Sequence, residues 1–77
     1  MELNKLLNIV NIILDKKNKP VLNEINIKMD LRNDIGFDSL DLAELTVRIE
    51  NEFGVDVFED GIVSTIGEII EKIKQNG

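Results

Sequence analysis

Apolar residues at the start of the chain recur with the spacing of a helix. Leu3, Leu6, Leu7, Val10, Ile13 and Leu14 follow one another at steps of mostly three and four, with Glu2, Lys5, Asn8, Asn11 and Asp15 between them. That pattern predicts an amphipathic helix over residues 2–16. Ile9 and Ile12 widen the stripe, which implies neighbours on more than one side. Lys16 and Lys17 suit the negative C-terminal end of the helix dipole, and Asn18 and Pro20 stop the helix.

Residues 18–38 have no helical period. Ile25, Ile27, Met29 and Leu31 alternate with Asn26, Lys28 and Asp30, as in a half-buried strand. No second strand is evident to pair with it, and an isolated strand lacks a ladder partner. The expectation is an extended loop that inserts alternate apolar side chains between helices. Loops of this length in a small domain are often functional, and this one ends at Asp38-Ser39.

Asp38 is a good N-cap, with Ser39 in the first turn and Asp41 near the positive dipole end. The helix it starts runs to Phe53, where Gly54 supplies the stop. At roughly 100° per residue, Leu42, Leu45, Thr46, Ile49 and Phe53 share one face, which is the expected core face. Leu40, Ala43 and Val47 form a second apolar strip, with Asp41, Glu44, Glu50 and Asn51 around it. Such a strip beside carboxylates suits a docking surface, unless a neighbouring helix covers it. Glu59–Val63 has room for one helical turn. Ser64 or Thr65 then caps a last helix, with Thr65 and Glu68 at capping-box spacing and Ile66, Ile69, Ile70 and Ile73 on one face. The fold class expected is all-α: a small four-helix bundle of three main helices and one short one, forming a single domain over 1–77, with a long loop between the first and second helices.

Composition narrows the chemistry. At 77 residues, a single core rarely supplies more than ~3–5 kcal/mol. With neither Cys nor His, disulfides, the usual zinc ligands and imidazole-based triads are excluded. No apolar run approaches the ~20 residues of a membrane span, and the N-terminus does not read as a signal peptide. A cytoplasmic protein is expected. The net charge of −6 is uneven: residues 1–29 hold five lysines against three acids, and residues 30–61 hold ten acids against two arginines. An acidic middle disfavours nucleic acid and steers basic protein surfaces toward it, although acidity can also serve solubility alone.

The acids invite two further readings. Asp30 to Asp41 has the length of an EF-hand loop, but Arg32 stands at the third position, Ile35 at the sixth and Asp41 at the last. No metal site is expected. A catalytic pair such as Asp38 and Asp41 would need an apolar pocket to keep one carboxyl protonated, and so small a bundle leaves little room for a pocket of ~300 Å³ or more. No catalytic residue is assigned. Ser39 is open to two readings: simple participation in a helix start, or a modification site whose attached anion would face the positive end of the helix.

Asp38-Ser39-Leu40-Asp41, preceded by Asp34-Ile35-Gly36-Phe37 and followed by Glu44-Leu45 and Glu50-Asn51-Glu52-Phe53, resembles the acyl carrier protein family. The closing Thr65-Ile66-Gly67-Glu68-Ile69-Ile70 extends the resemblance over essentially the whole chain. It implies that Ser39 carries 4′-phosphopantetheine, transferred from coenzyme A by a Mg²⁺-dependent phosphopantetheinyl transferase. It implies too that acyl-type cargo is held on the arm as a thioester. The chain would then be no enzyme but a monomeric carrier. It would present cargo to acyl-transferring or acyl-modifying enzymes with basic docking patches. On the family's pattern Asp38, Asp41, Glu44 and Glu50 meet those patches, while Leu40 and Val47 supply apolar contact. Arg48 and Asn51 dilute the acidity of the second helix, Phe58 stands where a Pro is common, and Glu59–Val63 is about two residues short of the family's pattern. A specialised carrier of lipid or secondary-metabolite biosynthesis therefore stands beside the fatty-acid carrier. Two alternatives remain: an aminoacyl or peptidyl carrier using the same arm, and a small helical adaptor without a prosthetic group.

Overall fold

In a computed structural model the described residues form three helices: α1 over Glu2–Lys16, α2 over Ser39–Phe53 and α3 over Ile66–Asn76. The structure describes residues 2–59, 61 and 63–76, without the side chains of Glu2 and Asn76. Among the described residues there is no strand, so the protein is all-helical.

Each helix is bounded by the chemistry its sequence carries. α1 ends where Asn18 turns left-handed at φ 61°. There the Lys19 amide donates to Leu14 O at 2.9 Å and the Asn18 amide to Asp15 O at 3.0 Å, the paired bonds of a Schellman cap. α2 ends at Gly54, φ 72°, whose amide donates to Glu50 O. The α3 start is capped by Thr65, whose hydroxyl accepts from the Glu68 amide at 3.2 Å. The short helix expected over Glu59–Val63 falls partly on Asp60 and Ile62, which lie outside the described residues. Val57–Glu59 form a turn, and Gly61, at φ 136°, is not helical.

α1 packs against both other helices. Its Leu6, Val10 and Ile13 meet Leu45 and Ile49 of α2 and Ile66 and Ile69 of α3 in one core cluster. The wider part of the α1 stripe divides: Ile9 is buried and Ile12 is exposed. Thr46 and Phe53 lie at the border of the α2 core face, half-buried.

Residues 17–38 join α1 to α2, and the alternation within them has a partner. The Leu31 amide donates to Ser64 O at 2.8 Å, the Ile66 amide to Met29 O at 3.0 Å and the Gly67 amide to Ile27 O at 3.0 Å. A single antiparallel bridge, Asp30 to Thr65, marks this pairing. Leu31 and Ile25 are buried and Met29 is half-buried, but Ile27 is 59 % exposed. The expectation that all four alternate residues insert therefore fails at Ile27, because its backbone is drawn onto the first turn of α3 instead. Upstream, Asn11 exchanges both side-chain hydrogen bonds with the Leu22 backbone at 2.8 and 2.9 Å. The segment is thus tied to α1 at one point and to α3 at the next.

Candidate functional site

The site is built around the start of α2. Asp38 has extended backbone, and its carboxylate accepts the Asp41 amide at 3.0 Å. The Asp41 carboxylate returns the contact by accepting the Asp38 amide at 3.0 Å. This reciprocal capping box satisfies donors that the first turn would otherwise leave open. Between its two members stand Ser39 and Leu40, both exposed, with Leu40 at 81 %. The helix N-terminus is thus held fast while the serine hydroxyl stays accessible.

Asp41 differs from its expected place on the docking face, because it is only 7 % exposed. At the N3 position its side chain folds back over the cap, and Lys17, just past the end of α1, pairs with it directly. Lys17 also stands 3.9 Å from Asp38. The hydrogen bond from Lys17 to Asp41 raises the lysine pKa above its ordinary 10.5, with the charges of Asp41 and Asp38 adding to it. The Asp41 amide holds the Asp38 carboxyl below its usual 3.8, and the Lys17 charge adds to that.

Further along α2, the Glu44 carboxylate accepts Lys16 Nζ at 2.9 Å and Arg48 Nε at 2.8 Å. The Lys16 bond and then the Arg48 bond lower its pKa from the usual 4.5. Val47 is 58 % exposed, and Ala43 and Glu50 face solvent. No helix among the described residues covers Leu40, Ala43 and Val47, which are exposed and form an apolar strip beside Glu44. Asp41 is turned away from it.

Ser39 also borders a surface cleft of about 420 Å³, lined by Arg32, Ser39, Leu42, Ala43, Thr46 and Phe58. A bundle of this size was expected to leave little room for such a space. The cleft exists because it opens at the surface beside α2 and is not carved from the core. The exposed Ser39 and Arg32 thus line the same cleft.

Sequence reasoning missed Lys17, Arg32 and Phe58 as parts of the site. Lys17 stood out only as a complement to the α1 dipole, Arg32 only as a misfit in a calcium loop, and Phe58 only as a departure from the family's pattern. An unusual arginine in an acidic loop was the available signal.

A small helical domain that offers the exposed Ser39 from a capped helix start, beside an open apolar strip, has the makings of a carrier. The family described as phosphopantetheine attachment site matches residues 4–73. An acyl carrier protein of Amoebophilus asiaticus (strain 5a2) is 33 % identical over 69 residues, covering 87 % of this chain and 85 % of that one. One from Porphyromonas gingivalis is 31 % identical over 70 residues, 88 % of each chain. A third, from Rickettsia bellii (strain OSU 85-389), is 31 % identical over 70 residues, 88 % of this chain and 85 % of that one. No solved structure matches at a comparable level. The chain belongs to the acyl carrier protein family. Its prosthetic group is accordingly 4′-phosphopantetheine, held covalently, and it is a carrier that works with a phosphopantetheinyl transferase and acyl-handling enzymes, not an enzyme itself. No helix among the described residues is long and apolar enough to cross a membrane.

Proposed function

We propose that Ser39 Oγ is the attachment point of the 4′-phosphopantetheine arm and that the chain carries acyl-type intermediates as thioesters for partner enzymes. The observation that carries this reading is the exposed Ser39 between the two members of the Asp38–Asp41 capping box, within the matched span. In loading, Ser39 Oγ attacks a phosphorus of coenzyme A and a phosphorus–oxygen bond forms. The phosphoanhydride bond breaks, the nucleotide portion leaves with the electron pair, and the hydroxyl proton passes to the transferase. Ser39 stands free for attack because neighbouring side chains, and not its own hydroxyl, cap the helix.

Partners with basic patches meet Asp38, Glu44 and Glu50, and the exposed Leu40 and Val47 enter an apolar seat on the partner. Asp41 contributes by holding the helix start and its charge pairing with Lys17. The cargo pathway is fatty-acid synthesis or a specialised lipid or secondary-metabolite route. The chain works as a cytoplasmic monomer.

The test is loading. The protein is incubated with coenzyme A, Mg²⁺ and a broad-specificity phosphopantetheinyl transferase and its intact mass is measured. The expected outcome is the mass of one arm gained by the wild type and none by Ser39→Ala. A wild type that gains nothing, or an equal gain on the variant, defeats the assignment and leaves a helical adaptor as the better reading.

A further inference from the structure

Within the acidic middle of the chain, residues 30–61, there are two arginines. Arg48 is accounted for by Glu44 at 2.8 Å. Arg32 forms no ion pair with any described residue, although Asp30 and Asp34 are its near neighbours in sequence. Those two carboxylates are turned to the backbone. Asp30 Oδ1 accepts the Arg32 and Asn33 amides at 2.8 Å, and Asp34 Oδ2 accepts the Asp30 amide at 2.7 Å. They hold the turn that carries Arg32 and do not neutralise it. The arginine borders two surface spaces, a small one shared with Asp30, Asn33, Val63 and Ser64 and the larger cleft that Ser39 also lines.

We propose that Arg32 binds the phosphodiester formed on Ser39 and so lays the prosthetic arm along the cleft. The proposal rests on the assignment of Ser39 above. A phosphodiester there adds a negative charge to a surface already crowded with carboxylates. A guanidinium opposes that charge and matches two phosphate oxygens with parallel N–H donors. Beyond the phosphate the cleft presents Leu42, Ala43 and Phe58, which suit the dimethyl-bearing body of the arm, while Thr46 sits half-buried among them. The Thr46 hydroxyl already donates to Leu42 O at 2.9 Å, so this polar side chain does not disturb an apolar contact. Arg32 is thus a positioning residue. It sets where the arm rests between encounters and leaves the bond at Ser39 unaffected.

The chain has two arginines, so its NMR spectrum has two arginine Nε–H signals, which makes the test direct. Nitrogen-15-labelled full chain is measured before and after loading from coenzyme A, with intact mass taken on each sample. Wild type that has gained the arm should show the Arg32 Nε–H signal displaced downfield, while the Arg48 signal, already committed to Glu44, stays. The phosphorus-31 signal of loaded Arg32→Gln should be displaced from that of loaded wild type, with Arg32→Lys between them. Arg32 is exposed and unpaired among the described residues, so Arg32→Gln should melt at the wild-type temperature in the unloaded state. An Arg32 signal that stays in place on a protein of loaded mass, or a phosphorus signal indifferent to Arg32→Gln, overturns the proposal and leaves the Ser39 assignment standing. A wild type that gains no mass removes that assignment and this proposal with it.

Discussion

Lys17 closes a contact that neither helix could make alone. It reaches from the end of α1 to the buried Asp41 of α2, and it supports Asp38 from 3.9 Å. Its pKa is raised, so its contribution is complete below the unfolded value near 10.5 and is lost as pH rises through the folded value. Asp38 and Glu44 have lowered pKa values. Their contributions are present above their unfolded values and are lost as pH falls through the depressed folded ones. Stability should therefore form a plateau between about pH 5 and pH 10 and decline on either side. Lys17→Met should lower the urea midpoint at neutral pH, because Asp41 stays buried without its cation. It should also flatten the alkaline decline relative to wild type, and urea titrations near pH 7 and pH 11 read both effects. Asp41 shows where the sequence was legible and where it was not. Its place near the positive end of the helix dipole was legible, and its angle on a helical wheel pointed outward. The fold-back of the capping box and the arrival of Lys17 reversed its orientation, and the second of these is a contact between distant parts of the chain.

At the scale of elements, α2 and α3 differ in how they are held. α2 rests on side chains: its core face, its capping box and the Lys17 and Lys16 pairs. The first turn of α3 is held by backbone bonds from residues 27–31. Gly67 permits that approach, since a Cβ there would stand 2.9 Å from Ile27 O. Gly67→Ala should push the segment away, weaken the bond from its own amide and cost on the order of 1–3 kcal/mol, typical of overpacking. Chemical denaturation measures the loss, and amide exchange at Leu31, Ile66 and Ala-substituted position 67 should locate it. Helix limits were readable because each carries local signals: Asp38 and Gly54 around α2, Thr65 before α3, Asn18 after α1. The pairing of 27–31 was not, because its partner is the approach to a helix rather than a strand. An apolar alternation cannot announce which of its members a distant backbone will draw outward, and Ile27 went that way.

For the whole molecule, the same arrangement divides labour between a neutralised interior edge and a charged face. Glu44 sits at the boundary, bonded to Lys16 and Arg48 yet beside the exposed strip of Leu40, Ala43 and Val47. Glu44→Lys would remove an acid and release two cations, so its effect on an approaching basic surface exceeds that of one lost charge. Association with an acyl-handling partner should weaken by roughly tenfold or more at low salt and become less salt-sensitive, while helicity is retained. Titration at two ionic strengths with circular dichroism checks this. The acidic polarity was legible from residue counts alone, but the pairing that blunts it at Glu44 needed the approach of α1. The backbone clasp has one more consequence, which concerns insertions and deletions. Residues 27–31 are fastened to the start of α3, and the Phe37 amide donates to Leu31 O at 2.9 Å, so the chain from the clasp to Ser39 works as a ruler. An added residue between Asn23 and Glu24, both exposed and past the tie of Leu22 to α1, can bulge into solvent and leave the serine in register. One added between Leu31 and Asp38 displaces the serine against the cleft, so variation in length is tolerated upstream of the clasp and excluded downstream of it.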